Sequence, residues 1–359
     1  MPIPEQRDFE ATRKVLAEWL RDKVGEVQVS QLVIPDGTGY SNETLLFDAG
    51  SGGGTAASYV LRVKPTGYQL FLETDFERQF EMMKLVAETT SVPMPQMLWF
   101  ETDAAWLGAP FFVMSKVDGR IPSDNPCYNI EGFLFDATVD QRRQLWESAL
   151  HAFTALHREV PAERIAFLAK PERGDTGFDQ QWSYWSDSFE WAAQGREQPV
   201  ADAALAWLVA NMPSDRPTAF SWGDARPGNM IFDDFKCRAV LDWEMVSLGG
   251  PLADLGWWLF LDRFHSEGYG VARLEGLGTR EETLAIWEDR VGPTAGVEWY
   301  EIYAGFKFAV IMIKLSQLFE HWEMMPAVDA RAMERDNPVT AVLSAMLAER
   351  VSRTHRSRS

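Results

Sequence analysis

Residues 220–258, FSWGDARPGNMIFDDFKCRAVLDWEMVSLGGPLADLGWW, are the stretch that decides the fold of this chain. Four residues separate Asp224 from Asn229 in a segment rich in turn formers, and Asp242 follows a short apolar run. The apolar pairs 230–231 and 240–241 predict two short strands, which would bring the two loops together. Because Asp and Asn also form ordinary turns, the spacing alone leaves both a plain turn and a catalytic loop open.

The acidic and amide side chains of this stretch suit phosphoryl transfer. That reaction needs a carboxylate that orients and deprotonates the attacking hydroxyl group. It also needs an amide and a second carboxylate that hold Mg²⁺ on the phosphate groups of the donor. Asp224, Asn229 and Asp242 supply these three groups in that order along the chain.

The sequence around this stretch divides into a β-rich first part and a mostly helical second part. VQVSQLVIP, TLLFDAG and ASYVLRVKP read as three strands of a meander, with a glycine-bearing turn, DGTGYSNE, between the first two. An amphipathic helix at DFERQFEMMKLVAETT, an extended VPMPQMLWFE and an apolar strand at PFFVMSKVDGR follow. From about residue 121 the helical period dominates, so we expect two lobes joined near residues 114–119.

Length, composition and charge exclude several classes of protein. The chain has 359 residues, 46% of them hydrophobic, which predicts two lobes with a large packed core. A net charge of −19 argues against nucleic-acid binding, and two distant cysteines indicate neither a disulfide framework nor a metal site. The N-terminus lacks the apolar region of a signal peptide. No apolar run reaches the length of a bilayer span, and YAGFKFAVIMIKLSQLF, which contains Lys307 and Lys314, is expected to be a buried helix. We therefore expect a cytoplasmic protein with no membrane partner.

SWGDARPGNMIF followed by AVLDWEMVSLGGPLADLGWW resembles the signature of the aminoglycoside phosphotransferase-like kinase superfamily. That signature usually reads H-G-D-x-x-x-x-N, then an apolar-Asp-Trp/Phe-Glu segment, then G-D-P-x-x-D-L. The resemblance covers nearly the whole chain and extends to kinase-like domains fused to acyl-CoA dehydrogenases. It implies an α+β, bilobal, protein-kinase-like fold, with a nucleotide-binding lobe over 1–117 and a catalytic and acceptor-binding lobe over 118–359. It also implies that the γ-phosphoryl group of ATP is transferred, with Mg²⁺, to a hydroxyl group of a small molecule.

The resemblance assigns the acidic residues their roles. Asp224 would be the catalytic base, and Asn229 and Asp242 would be the Mg²⁺ ligands. Asp254 would be a structural residue at a helix start, consistent with N-terminal capping. Glu244 would either orient the loop that carries Asp242, which we call the metal loop, or be a solvated acid, and both interpretations stay open.

Two positions depart from the usual signature. Trp222 stands where the family usually has His, and Gly250 stands where it usually has the Asp of G-D-P. The His position is mainly architectural in kinase-like folds, so we expect activity to be retained.

The β-rich part holds the candidate nucleotide-binding residues. Gly37 and Gly39 would let the backbone approach phosphates, and Ser41 and Asn42 would add donors, although a plain hairpin turn is the alternative. The segment resembles the G-x-S-N-x-T turn of the superfamily. The same resemblance points to Arg62 as the phosphate-binding cation, with Lys64 as the second choice.

Two further elements would complete the nucleotide site. The family places an acidic partner of the cation at position 79, which is Gln79 here, so Glu77 or Glu81 would have to substitute. Backbone groups of the hinge between Ser115 and Val117 would bind adenine beneath apolar side chains.

Two functions of different classes remain open. The first is an ATP- and Mg²⁺-dependent small-molecule kinase. The second is a nucleotide-binding pseudokinase that acts as a sensor or scaffold, which Trp222 and Gln79 favour. An aminoglycoside, a macrolide or a hydroxyacyl-CoA could be the acceptor, and neither the acceptor nor the oligomeric state can be chosen from the residues.

Overall fold

The computed structural model describes residues 7–35, 42–50 and 56–356. The first lobe is built on a five-stranded antiparallel sheet in the order β1-β2-β3-β5-β4. Its elements are α1 (Phe9–Val24), β1 (Gln28–Val29), β2 (Glu43–Gly50), β3 (Ala57–Val63), α2 (Phe76–Thr89), β4 (Met97–Glu101), α3 (Ala104–Leu107) and β5 (Phe111–Ser115). The three predicted meander strands are confirmed, although only two residues of the first one pair as a regular strand.

The second lobe is helical apart from one hairpin. Its helices are α4 (Val139–Glu159), α5 (Gly177–Ala193), α6 (Pro199–Ala210), α7 (Pro251–Arg263), α8 (Arg280–Arg290), α9 (Val297–His321), α10 (Ala327–Met333) and α11 (Pro338–Arg356). The hairpin joins β6 (Met230–Asp233) to β7 (Lys236–Val240). The structure therefore has the predicted bilobal α+β architecture.

The hairpin brings the two acidic loops together as predicted. Met230 pairs with Val240 and Ile231 with Ala239. Just beyond the hairpin, the Leu241 N–H donates to the Asn229 carbonyl at 2.8 Å. The loop that ends at Asn229 and the loop that begins at Leu241 are thus neighbours in space.

Helix α9 forms the centre of the second lobe. Apolar side chains from α5, α6, α7 and α11 pack around it. By length and composition alone α9 could cross a membrane, contrary to the expectation that no apolar run is that long, but 72% of its most apolar window is buried inside the protein. The expectation of a buried helix in this stretch is confirmed.

A segment between β3 and α2, residues 64–75, crosses from the first lobe to the second; we call it the inter-lobe strap. The Tyr68 hydroxyl donates to the Lys314 carbonyl on α9 at 3.1 Å. Glu73 accepts from Lys170 at 2.7 Å, and Asp75 also pairs with Lys170. The lobes are therefore held by the strap as well as by the chain at residues 115–119.

Candidate active site

Asp224 lies at the centre of a dense hydrogen-bond network. Its Oδ2 accepts from the Asn229 amide at 2.7 Å, and its Oδ1 accepts from the Trp257 indole at 2.6 Å. The Arg226 Nε lies 3.0 and 3.2 Å from the two carboxylate oxygens. These donors hold the carboxylate in a fixed orientation.

Asp254 supports the loop that carries Asp224. This fully buried carboxylate accepts from the Ser221 hydroxyl at 2.7 Å and from the backbone N–H groups of Trp222 and Gly223 at 2.6 and 2.8 Å. Asp254 is a structural residue at the start of a helix, as the resemblance implied, but the helix cap is Gly250 and Asp254 does not cap the helix. Asp254 lies in the first turn of α7, where its charge is needed by the loop rather than by the helix.

Trp222, at the position where the family usually has histidine, makes structural contacts. The Trp222 side chain is fully buried, and its indole N–H lies 3.1 Å from the Leu241 carbonyl and 3.0 Å from the Asp242 carbonyl. An indole nitrogen can only donate, and both partners are acceptors. Trp222 therefore links the two acidic loops.

Gly250 is required by the backbone where it stands. Its φ is +90°, which side chains rarely adopt, and a Cβ there would lie 2.7 Å from Pro217 Cγ. An Asp at this position would be strained and crowded. The departure from G-D-P is thus matched by the local geometry of this chain.

Asp242 has an unusual backbone conformation and a buried carboxylate oxygen without a partner in the part of the chain that the structure describes. Its φ is +55°, and its Oδ1 is buried with no hydrogen-bond partner among the described residues. Burial raises the pKa of Asp242, and the nearby charge of Asp224 adds to the rise, while Arg62 and Arg226 oppose it. A buried carboxylate oxygen without a partner suits a bound cation.

Asn229 and Asp242 together offer the oxygen ligands that Mg²⁺ prefers. The Asn229 amide nitrogen is used by Asp224, which leaves its carbonyl oxygen as the atom that could ligate a metal. The described residues hold no group of three or more His, Cys, Asp or Glu side chains that could enclose a metal alone. A Mg²⁺ ion held by Asn229 and Asp242 would take its remaining ligands from phosphate oxygens and water.

Arg62 is placed on β3 where its charge reaches the metal loop. It pairs across the sheet with Thr44 and Phe112, and its charge lowers the pKa of Asp242 against the effect of burial. Its Nε is buried without a partner in the described part of the chain. Lys64 instead lines a separate cavity beside Glu77 and Glu81, so the preference for Arg62 has structural support.

Neither Glu77 nor Glu81 occupies the buried position on α2 where an acidic partner of Arg62 was expected. Glu77 and Glu81 are exposed on the outer face of α2. Gln79 is buried, and its Nε2 has no hydrogen-bond partner within the described residues. The inward position on α2 is therefore occupied by an amide, which cannot neutralise a cation.

Of the predicted phosphate-binding turn, Gly37, Gly39 and Ser41 lie outside the described residues. Asn42 is buried, its Nδ2 donates to Glu244 Oε2 at 3.0 Å, and its Oδ1 has no partner in the ranges described. Glu244 therefore connects the metal loop to Asn42, the residue just before β2. It is not merely a solvated acid.

The hinge backbone is already partly engaged. The Ser115 N–H donates to the Gln96 carbonyl at 2.9 Å, and the Lys116 N–H donates to the Ser58 carbonyl at 2.9 Å. The Val117 N–H has no acceptor among the described residues. Of the two predicted residues, Val117 thus offers a backbone donor and Ser115 does not.

Sequence reasoning missed the groups that hold Arg226. Its Nη1 pairs with Asp124, whose other oxygen lies 3.1 Å from His265 Nε2. Burial alone would raise the pKa of Asp124. The charge of Arg226 and the hydrogen bond with His265 outweigh burial and hold this pKa well below its usual range. The D-x-R spacing at 224–226 was the available signal for Arg226, whereas Asp124 lies 102 residues away in sequence.

Two acidic residues of α5, Asp187 and Glu190, lie on the surface. Asp187 is exposed and pairs with Arg173 at 2.8 Å, and Glu190 is exposed. Trp185 and Phe189 are buried in the core of the second lobe, as expected of aromatic residues at helical spacing.

Comparison with known proteins gives consistent matches. A model of the phosphotransferase enzyme family matches residues 33–288. The chain is 27% identical over 308 residues to a protein of Arabidopsis thaliana named as an acyl-CoA dehydrogenase, covering 80% of this chain and 36% of the relative. It is 30% identical over 222 residues to human acyl-CoA dehydrogenase family member 11, covering 60% of this chain and 26% of the relative. The chain thus spans about a third of the length of the curated relatives it matches.

Solved structures share the fold. A protein of Ralstonia eutropha classed as an aminoglycoside phosphotransferase aligns with a TM-score of 0.64 at 21% identity, covering 94% of this chain and 98% of that one. The aminoglycoside phosphotransferase APH(4)-Ia, in a complex with AMP-PNP and hygromycin B, aligns with a TM-score of 0.54 at 17% identity, covering 93% and 98%. At these identities the likeness concerns the fold.

Proposed function

Because this chain belongs to the phosphotransferase enzyme family, we propose that it transfers the γ-phosphoryl group of ATP, with Mg²⁺, to a hydroxyl group of a small molecule. The observation that carries the proposal is the meeting of Asp224, Asn229 and Asp242 in one cleft opposite Arg62. The neighbouring structure with AMP-PNP and hygromycin B supports ATP as the donor.

The residues of the cleft fit the phosphate and metal groups that this reaction needs. The buried polar atoms that have no partner in the described ranges include Asp242 Oδ1, Arg62 Nε and Asn42 Oδ1. Asn229 and Asp242 would hold the metal ion, and Arg62 would bind phosphate oxygens. When bound, the metal ion would neutralise charge on the phosphates.

Asp224 would act on the acceptor hydroxyl. The hydroxyl oxygen forms a bond to the γ-phosphorus, the bond from that phosphorus to the β,γ-bridging oxygen breaks, and ADP leaves. The hydroxyl proton passes to the Asp224 carboxylate. Arg226 and Trp257 would keep that carboxylate oriented toward the hydroxyl group, because both donate to it in the structure.

The test is ADP release by purified protein with ATP, Mg²⁺ and a panel of acceptors. The panel contains aminoglycosides, macrolides, choline-like amines and hydroxyacyl-CoAs, and Asp224→Ala is the blank. Release that depends on one acceptor class supports the kinase and identifies that class. Absence of any nucleotide binding would contradict the proposal.

A nucleotide-binding pseudokinase is the second candidate, and one observation favours it. Gln79 occupies the inward position of α2 and cannot form an ion pair with Arg62. If the protein binds nucleotide tightly but releases no ADP above the Asp224→Ala blank with any member of the panel, this second function is preferred.

A further inference from the structure

Lys307 on α9 is a buried cation without an ionic partner. Its side chain is 4% exposed, and its Nζ lies 4.6 Å from the ring centroid of Trp257, 5.4 Å from that of Tyr303 and 5.6 Å from that of Trp185. In the described part of the chain its Nζ forms no hydrogen bond and no ion pair. The ammonium group is therefore surrounded by aromatic faces.

This cation adjoins the catalytic carboxylate. Trp257 lies against Lys307, and the indole of the same Trp257 donates to Asp224 Oδ1 at 2.6 Å. One indole ring thus separates the ammonium group from the proposed base. Lys307 is placed to bind something that approaches Asp224.

Asp224 acts electrostatically on both Lys307 and Asp242, and each of these two residues has further charged neighbours that the other lacks. The charges that act on Lys307 are those of Asp254 and Asp224, whereas the cations that act on Asp242 are Arg62 and Arg226. The nucleotide would occupy the side of Asp242. In-line transfer requires the acceptor to approach from the opposite side.

The unpaired state of Lys307 has a cost that a ligand would remove. An ammonium group has three donors, and aromatic faces attract its charge without accepting conventional hydrogen bonds. Burial lowers the pKa of Lys307 to about 8, so the group is still mostly protonated at neutral pH. An anionic oxygen placed against Nζ would satisfy both the charge and the donors.

We propose, on the basis of the function proposed above, that Lys307 binds a carboxylate group of the acceptor and that the acceptor is a small hydroxy carboxylic acid. The acceptor hydroxyl would lie on Asp224, and its carboxylate would lie on Lys307, on the far side of Trp257. A polycationic acceptor would be repelled by Lys307.

The experiment measures binding in the absence of nucleotide. A series of short-chain hydroxy acids and the matching primary amides is titrated into the full-length protein, with calorimetry or ligand-observed NMR as the readout. The variants are Lys307→Met and, as matched control, Lys314→Met. Lys314 is also a buried lysine of α9 in contact with aromatic rings, but its Nζ donates to Gln317 Oε1 at 3.0 Å.

We expect at least one acid to bind wild-type protein about tenfold or more tightly than its amide. Lys307→Met should abolish that preference, and Lys314→Met should retain it, with thermal unfolding confirming that both variants are folded. Wild-type protein that binds no acid better than its amide overturns the proposal, and so does a preference that survives in Lys307→Met. Because the readout is binding, a carboxylate preference without any ADP release would contradict the proposed function alone.

Discussion

Replacing Trp222 by Phe should separate the hydrogen-bonding role of this residue from its volume. The variant removes the donor that serves the carbonyl groups of Leu241 and Asp242. Leaving such buried acceptors unpaired costs about 1–3 kcal/mol. The lost ring volume adds a further amount, about 1–3 kcal/mol, that depends on how far the site collapses.

Trp287 provides the matched control. It is also fully buried, and its indole nitrogen has no hydrogen-bond partner among the described residues. Trp287→Phe therefore removes comparable volume but no hydrogen bond. The free energy of unfolding, from urea denaturation, should fall by about 1–3 kcal/mol more in Trp222→Phe than in Trp287→Phe.

Binding of Mg²⁺ and ADP gives a second readout of the same change. Trp222 holds the carbonyl group of Asp242, so Trp222→Phe should weaken metal-dependent ADP binding, and Trp287→Phe should leave it unchanged. Equal losses of stability in the two variants, together with unchanged ADP binding in Trp222→Phe, would refute the view that position 222 links the two loops.

Further predictions concern the acidic residues, Gly250 and Lys307. Asp224→Ala should abolish ADP release and largely retain nucleotide binding. Full turnover by this variant would show that the base is another group. Asp242→Ala should abolish ADP release and also weaken binding of Mg²⁺ and ADP in a direct titration. Gly250→Asp should lower the free energy of unfolding by about 1–3 kcal/mol, measured by urea denaturation, because φ is +90° there. The folded pKa of Lys307 is lowered to about 8, below its unfolded value, so the unfolded chain binds more protons above pH 8 and stability should rise with pH from about 8 to about 10. This rise, at most about 1.4 kcal/mol per pH unit, should be smaller in Lys307→Met, and identical pH profiles would contradict it.

The parts of the site that are local in sequence could be predicted. The D-x-x-x-x-N spacing and the apolar pairs flanking it specify two loops on one hairpin, and the structure confirms that Asn229 and Asp224 meet. Strand periodicity likewise placed Arg62 on β3. These features depend on neighbouring residues, so short patterns contain them.

The parts that depend on distant contacts could not be predicted. Asp124 reaches Arg226 across 102 residues, and Trp257 meets Asp224 across 33. Lys307 looked like an interruption in an apolar helix, and only the packing of α7 and α5 around α9 reveals its neighbours. The structural role of Asp254 at a helix start was predicted, but its partners were not, because the tertiary fold brings the backbone N–H groups of Trp222 and Gly223 to its carboxylate.

The inter-lobe strap constrains how the two lobes can move apart. The strap continues directly from β3, the strand that carries Arg62, and ends on the second lobe at Lys170 and α9. If the lobes move apart to release product, either the ion pairs of Glu73 break or β3 moves together with the second lobe. Ion pairs at the protein surface are individually worth little and weaken in salt. The ion pairs between the strap and the second lobe are thus easily broken, and the rate of product release should depend on ionic strength.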